Sequence, residues 1–310
     1  MPRKAFPFHK LEASALFNVR TRKKLADILM CSPAHLKSVD AIEIRYKKRW
    51  KPKDSDTAPW LKQPPPAEKA GNYRPIDIPV DPLKKLQTRI ANLLSRIEPP
   101  SYLCSPVKGV SYVDNARRHV NSNAFWLLDI ADYFPSCTAD RVAWFFSTVM
   151  KCAPDVTAVL VSLVTDSGRL PQGSPCSPIL AYFSNKKMWD DVAEAVASAG
   201  CILSVYADDI TLSGTTVPGA LVWEVKQIIV KNGFKLKREK EVSLVGSPAD
   251  ITGVIVRNGT LKLPNRQLKK LAETKKLHKL ATDKVTLIKL EHQVKGRLAQ
   301  RRQIEEALKP

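Results

Sequence analysis

No stretch of about 18 apolar residues occurs in this 310-residue chain, so no membrane-spanning helix is expected. The opening residues, Met-Pro-Arg-Lys-Ala-Phe, run into a charged segment without the apolar core of a secretory signal. The chain therefore reads as cytoplasmic. No Cys-x-x-Cys pair occurs among the six cysteines, and no histidine stands at zinc-finger spacing from one. Scattered reduced thiols acting as small apolar side chains remain as the reading. Internal repeats and long low-complexity tracts are also missing. Apolar residues make up 44%, which argues against a disordered chain.

Positive charge is what the chain has in excess, a formal net +20. Residues 1–60 carry 14 Lys and Arg against 6 Asp and Glu, and residues 261–310 carry 14 against 5. The middle is nearly neutral. Basic flanks around a neutral centre suit a polyanion gripped from two sides with chemistry between them. Solvated helix faces kept basic for solubility would give the same totals.

Apolar periodicity predicts a short helix over 21–30 and a second after Pro33, running through Leu36. Residues 42–50 read as a strand and 73–79 as its return. Between them, 52–71 is a proline-rich charged loop, part of it expected to be mobile. Residues 82–97 read as helix. FWLLDI at 125–130 reads as a buried strand. Helices are expected from Ala139, capped by Thr138, and from Pro154. After a turn at Ser167-Gly168 comes PQGSPCSP at 171–178, then a long helix ending at Gly200. Residues 201–214 read as two strands joined by a tight turn, and 219–232 as a helix. VIVRNGTLKL at 254–263 reads as a hairpin, because Asn-Gly suits its turn. From Asn265 the chain is helical and basic. The fold class is α+β, with helices behind an antiparallel sheet.

In this layout Asp129 ends an apolar strand, and Asp208-Asp209 occupy a hairpin tip. An isolated pair of aspartates would be read as a solvated turn. Here they stand between apolar strands, downstream of a strand-ending aspartate, where like charges repel and each needs a partner. A divalent cation is the natural one. Magnesium takes oxygen ligands and usually sits on one or two carboxylates plus phosphates.

Tyr206-Ala207-Asp208-Asp209 resembles the YxDD box of reverse transcriptases. Leu128-Asp129-Ile130-Ala131-Asp132-Tyr133-Phe134 resembles their first aspartate motif, and Leu170-Pro171-Gln172-Gly173 their LPQG loop. Gly233-Phe234 with Lys240 resembles the motif that follows. Asn115-Ala116-Arg117-Arg118-His119 is similar to the NAxxH element of bacterial retron enzymes, and Ile251-Thr252-Gly253 to their VTG element. The resemblance covers roughly residues 70–265. The 52–71 loop is longer and richer in proline than the family pattern, and the chain after Gly296 is a short basic tail.

The resemblance implies a right-hand polymerase fold. It divides into an N-terminal helical extension (1–40), fingers (41–125), a palm (126–263) with a fingers insertion around 138–175, and a short basic helical thumb (264–310). It implies RNA-directed DNA synthesis with two Mg2+ ions. Asp129 and Asp208 would be the ligands of both, Asp209 would support the second carboxylate position, and the Ile130 carbonyl would be a further ligand. Asp132 would lie near the triphosphate or cap a turn. Arg74 would clamp the incoming triphosphate, or else be a strand-edge surface charge. Gln172 and Gly173 would meet the nucleotide, and Phe134 would exclude a ribose 2′-hydroxyl while Tyr133 points into the core. Lys240 is a candidate general acid, or else one basic residue on a solvated strand. Nucleic-acid contacts are expected at Asn115, His119, Thr252 and Gly253. Others are expected at Lys269, Lys270, Lys275 and Lys276, and at Arg297 and Arg301. His119 also reads as a packed, hydrogen-bonded histidine.

The implied partners are a structured non-coding RNA serving as template and primer, its RNA–DNA product, deoxynucleoside triphosphates and an accessory effector protein. Antiphage defence is the implied role. Two alternatives are a defence-associated reverse transcriptase without a branched product, and an RNA-binding scaffold on an idle polymerase fold.

Overall fold

The computed structural model describes residues 7–53 and 58–308. Two compact units emerge, Met1–Pro100 with Asp132–Trp189, and Ser101–Ala131 with Asp190–Pro310.

In the first unit, helices Arg22–Leu29 and Pro33–Asp40 begin at side-chain caps. Thr21 Oγ1 accepts from Lys24 N at 3.2 Å, and Ser32 Oγ from His35 N at 3.1 Å. Strands β1 (Tyr46–Pro52) and β2 (Tyr73–Pro79) pair antiparallel along their full length. The strand expected at 42–50 thus starts four residues late. The Arg45 guanidinium bonds the carbonyls of Asp40 and Ile42, which folds that segment into a turn. The expected 52–71 loop is partly structured. Leu61 and Trp50 exchange backbone hydrogen bonds at 3.0 and 3.1 Å, and Ala67–Asn72 forms a 3-10 helix. The mobility expected of that loop falls partly on 54–57, outside the described residues.

The long helix expected up to Gly200 is two helices, Ser177–Phe183 and Lys186–Ser198. The buried Asn185 causes the break. Its amide donates to Ala181 O at 2.9 Å, and its backbone N–H turns to Tyr182 O, an i→i+3 bond. The aromatic core of this unit stacks Phe145 on Phe183, centroids 5.0 Å apart.

In the second unit a six-stranded sheet is built from β3 (Leu103–Ser105), β4 (Ala124–Ala131), β5 (Ile202–Tyr206), β6 (Asp209–Gly214), β7 (Lys235–Leu236) and β8 (Val242–Val245). The order is β3-β5-β6-β4-β7, and β8 also pairs with β4. All pairs are antiparallel except β3–β5. β4 has neighbours on both edges, and successive residues along it are buried or half-buried on both faces, which is why its sequence runs apolar without alternation. A smaller sheet holds β9 (Ala249–Ile251), β10 (Val254–Arg257) and β11 (Thr260–Lys262). Asn258 and Gly259 turn β10 into β11 with φ of 46° and 73°, the left-handed pair that a two-residue hairpin turn requires. Val254, Val256 and Leu261 of that sheet pack with Val113 and Ala116 of the Tyr112–Arg117 helix, and with Phe125 and Ile304. The basic helices Asn265–Leu280 and Lys284–Glu305 bury only Leu271, Thr274 and Ile304. Among the described residues, no helix is long and apolar enough to cross a membrane.

Burial pushes the thiols of Cys137 and Cys176 up to about 12 and that of Cys104 up to about 11. At neutral pH these thiols are protonated and poor nucleophiles.

Candidate active site

β4 breaks its apolar run at Asp129, and strand register sets Asp129 directly opposite Asp209, the first residue of β6. Asp209 also pairs with Tyr206 across the hairpin, so only Ala207 and Asp208 form its turn. Opposed residues share a face of a sheet, which brings the Asp129 and Asp209 carboxylates to one side. Ala207 sits at φ 56°, a left-handed conformation that costs about 1–2 kcal/mol for a residue with a Cβ. The turn is tied back to β4, since Ile130 N donates to Asp208 O at 3.0 Å.

Asp129 is 5% exposed. One of its oxygens accepts from Lys237 Nζ and the other from Lys240 Nζ, the latter at 2.6 Å. Lys237 lies 3.9 Å from Asp208, and its backbone N–H donates to Asp129 O at 2.9 Å. The bond to Asp129 raises the Lys240 pKa. Asp209 is exposed as a residue, yet its carboxyl is partly desolvated and its pKa rises to about 6. Desolvation is the largest cause, followed by the charges of Asp208 and Asp129, and Lys240 and Lys237 act against them. Three carboxylates at the ends of adjacent strands thus repel one another and draw positive charge.

Among the described residues, no group of three or more His, Cys, Asp or Glu closes into a metal cage. Asp129 is turned to the two ammonium groups instead. Magnesium needs only one or two carboxylates and completes its shell with water and phosphate oxygens. The donor set is all hard oxygen and under mutual repulsion, so its chemistry fits such an ion. A cavity of about 760 Å3 opens beside the carboxylates. Asp129, Asp209, Lys240, Asp250, Thr252 and Arg266 are among the residues that line it.

The first unit holds the other nucleotide-site residues expected from sequence. Arg74 is exposed on β2. Gln172 O accepts from Asp77 N of the same strand at 2.7 Å. Gly173, at φ 131°, lies so close to β2 that a Cβ there would fall 2.6 Å from Asp77 O. Buried Gln87 anchors the loop, accepting from Ser174 Oγ at 2.8 Å and donating to Tyr46 OH at 2.7 Å. Phe134 is half-buried, its ring centroid 5.7 Å from that of Tyr133, which is buried with its hydroxyl donating to Ala181 O. Asp132 sits at φ 45° and accepts from Ser136 N through its backbone carbonyl.

Asn115 and His119 are 1% and 0% exposed, so their side chains are buried rather than presented at the surface; for His119 this fits the packed, hydrogen-bonded reading. Asn115 donates to Thr252 Oγ1 at 3.3 Å, and His119 bonds Ser204 and Ser213. Thr252 and Gly253 are half-buried in the turn between β9 and β10. Lys269, Lys270, Lys275 and Lys276 are exposed. Arg297 is half-buried beside Gln267, and Arg301 pairs with Glu305 at 2.8 Å.

Sequence reading passes over Lys237, Gln87 and the two serines as functional residues. The signal for the serines is present: Ser204 is polar between the apolar Leu203 and Val205 of β5, and Ser213 is polar beside the apolar Leu212 in β6.

The family described as reverse transcriptase (RNA-dependent DNA polymerase) matches residues 61–256. The retron Se72 reverse transcriptase of Salmonella heidelberg is 29% identical over 205 residues, covering 61% of this chain and 53% of that protein. The retron Ec86 reverse transcriptase of Escherichia coli is 27% identical over 202 residues, covering 64% and 63%. The retron Mx65 reverse transcriptase of Myxococcus xanthus is 30% identical over 228 residues, covering 66% and 52%. The chain spans less than two thirds of the length of each of these relatives.

Proposed function

Because the chain belongs to the reverse transcriptase (RNA-dependent DNA polymerase) family, we propose that it copies RNA into DNA in the retron manner. A structured non-coding RNA is its template and, through an internal 2′-hydroxyl, its primer. Deoxynucleoside triphosphates are its substrates, and a branched RNA–DNA molecule (msDNA) is its product. An accessory effector protein and antiphage defence in the cytoplasm complete the reading. The retron relatives support this choice of type. The observation that carries the chemistry is the register pairing of Asp129 with Asp209, with Asp208 in the adjoining turn.

Asp129 and Asp208 would hold two Mg2+ ions, with Asp209 supporting the second carboxylate position. When bound, the ions acidify the primer hydroxyl and neutralise the leaving pyrophosphate. The chain's own residues do the rest. The primer hydroxyl gives its proton to solvent water, and its oxygen bonds to the α-phosphorus as the bond between that phosphorus and the oxygen bridging to the β-phosphate breaks. Lys240 Nζ donates a proton to the departing pyrophosphate. The Arg74 guanidinium holds triphosphate oxygens. Gly173 lets the backbone come close to the nucleotide, and the Phe134 ring excludes a 2′-hydroxyl. In this reading residues 41–125 are fingers, 126–263 palm and 264–310 thumb. The thumb lysines grip phosphates without reading bases.

Changing Asp208 and Asp209 together to Asn should abolish magnesium-dependent DNA synthesis while RNA binding persists. Synthesis near the wild-type rate would sink the assignment. Sequencing of copurifying nucleic acid should recover a short DNA joined to a structured RNA. Unbranched DNA alone would move the protein to a reverse transcriptase of another type.

A further inference from the structure

His119 is a buried titratable group that the mechanism does not use, and both of its ring nitrogens are bonded. It is 0% exposed. Nδ1 lies 2.6 Å from Ser213 Oγ and Nε2 lies 2.7 Å from Ser204 Oγ, while Ser122 Oγ is a further 2.8 Å from Ser213 Oγ. Burial, with the nearby Arg118 charge, lowers its pKa to about 3. The ring is therefore neutral under working conditions, one nitrogen a donor and the other an acceptor. It cannot shuttle protons near neutrality, but it can hold two hydroxyls at a fixed separation.

Those hydroxyls sit on the two strands of the aspartate hairpin. Ser204 is on β5, two residues before Tyr206, and Ser213 is on β6, four residues after Asp209. In register Ser204 faces Thr211 and Ser213 faces Ile202, so the serines are diagonal neighbours on one face. Diagonal neighbours stand about 7–8 Å apart at Cα, a gap one imidazole can bridge through two hydroxyls. By the same register Asp209 and Thr211 lie on that face, so the bridge is on the carboxylate side of the hairpin.

The segment that carries His119 has a second attachment. Asn115 lies one helical turn earlier and donates to Thr252 Oγ1, and Thr252 Oγ1 in turn donates to Tyr112 O at 3.1 Å. Thr252 and Gly253 both have left-handed φ, 48° and 87°. A Ser111–Asp114 capping box fixes the start of the same helix. The 112–119 segment thus bonds the aspartate hairpin at one end and the β9–β10 turn at the other. Thr252 also lines the cavity beside Asp129 and Asp209.

We propose that His119 is a positioning residue for DNA synthesis: it braces β5 against β6 so that Asp208 and Asp209 stay aligned with Asp129, and Asn115 couples this brace to the Thr252-Gly253 turn. This rests on the polymerase reading of the site.

The test compares full-length wild type, His119→Phe, His119→Gln and the Ser204→Ala/Ser213→Ala double variant. Each extends a DNA primer on an RNA template, and hydrogen exchange is followed in peptides spanning 202–214. His119→Phe and the serine variant should lose at least tenfold in kcat while the KM for nucleotide changes less than twofold. Exchange in the hairpin should accelerate. His119→Gln keeps one donor and one acceptor and should recover much of kcat. The serine variant removes only two hydroxyl oxygens and serves if His119→Phe fails to fold. Wild-type kcat in a folded His119→Phe or serine variant, or no rescue by His119→Gln, overturns the proposal. A wild-type protein that extends no primer overturns the polymerase reading instead. The exchange comparison then still decides whether the brace exists, and unchanged exchange would refute it.

Discussion

Replacing Gly173 by alanine inserts a methyl group where the first unit has no room for one. Built on the backbone, the Cβ would lie 2.6 Å from Asp77 O and 2.8 Å from Ile76 Cγ2. That is roughly 1 Å inside a normal carbon contact. The first neighbour is backbone within β2, held by the β1 ladder and by the Asp77 N to Gln172 O bond, so it cannot swing aside. Overpacking of this kind costs about 1–3 kcal/mol. A φ of 131° adds strain of about 1–3 kcal/mol for a residue with a Cβ. The sum, about 2–6 kcal/mol, is a large share of the roughly 5–15 kcal/mol that holds a domain folded. Gly168 is the control, with φ of 77° and nothing within 4 Å of the position its Cβ would take. Gly168→Ala should show the backbone cost alone, about 1–2 kcal/mol. Thermal melts of both variants should therefore show Gly173→Ala falling further than Gly168→Ala, by the equivalent of about 1–3 kcal/mol. Its nucleotide KM should also rise, because the loop must leave β2 to relieve the clash. Equal melting shifts with an unchanged KM would refute the claim that contact with β2 sets this loop.

Three further outcomes follow from the site. Phe134→Ala should raise the ratio of ribonucleotide to deoxynucleotide kcat/KM, and an unchanged ratio would move the sugar gate elsewhere. Neutralising Lys269, Lys270, Lys275 and Lys276 should weaken binding to any RNA–DNA duplex. It should also flatten the slope of log K against log salt by somewhat under one unit per lost contact; an unchanged slope would make them a solvated face. The third concerns pH. Asp209 has a folded pKa of about 6 against an ordinary 3.8, so its protonated form favours the folded state. Its contribution is complete below 3.8 and is lost as pH rises through 6. In chelator, wild type should gain less stability than Asp209→Asn, or lose more, on going from pH 4 to pH 7.5. Parallel profiles in urea unfolding would contradict the raised value.

The features legible in the sequence are those that local chemistry determines. Asp208-Asp209 between two apolar runs marks the hairpin, and Asn258-Gly259 marks the β10–β11 turn because few other pairs accept two left-handed residues. FWLLDI reads as a strand from its composition. What cannot be read depends on partners far along the chain. That β8 joins β4, and that His119 meets serines 85 and 94 residues away, leaves no local trace. The late start of β1 depends on Arg45 finding the carbonyls of Asp40 and Ile42. The helix break at Asn185 depends on a buried amide that prefers Ala181 O to a continued helix. The motif alone left His119 open between a nucleic-acid contact and a packed histidine, since burial is a property of the fold and not of the motif.

The central place of β4 has a consequence for how the protein is made. Its neighbours, β6 at 209–214 and β8 at 242–245, leave the ribosome many seconds after it does, at about 5–20 residues per second. Until then a strand reading Phe-Trp-Leu-Leu waits with both edges unpaired. Such a segment, β-prone and uncharged, is a template for pairing with other chains. Long-range pairing of this kind also folds slowly. Nascent chains stalled before residue 209 should therefore be the most aggregation-prone species; the aspartate hairpin covers one edge of β4 when it arrives, and the exposure ends only when β7 and β8 cover the other.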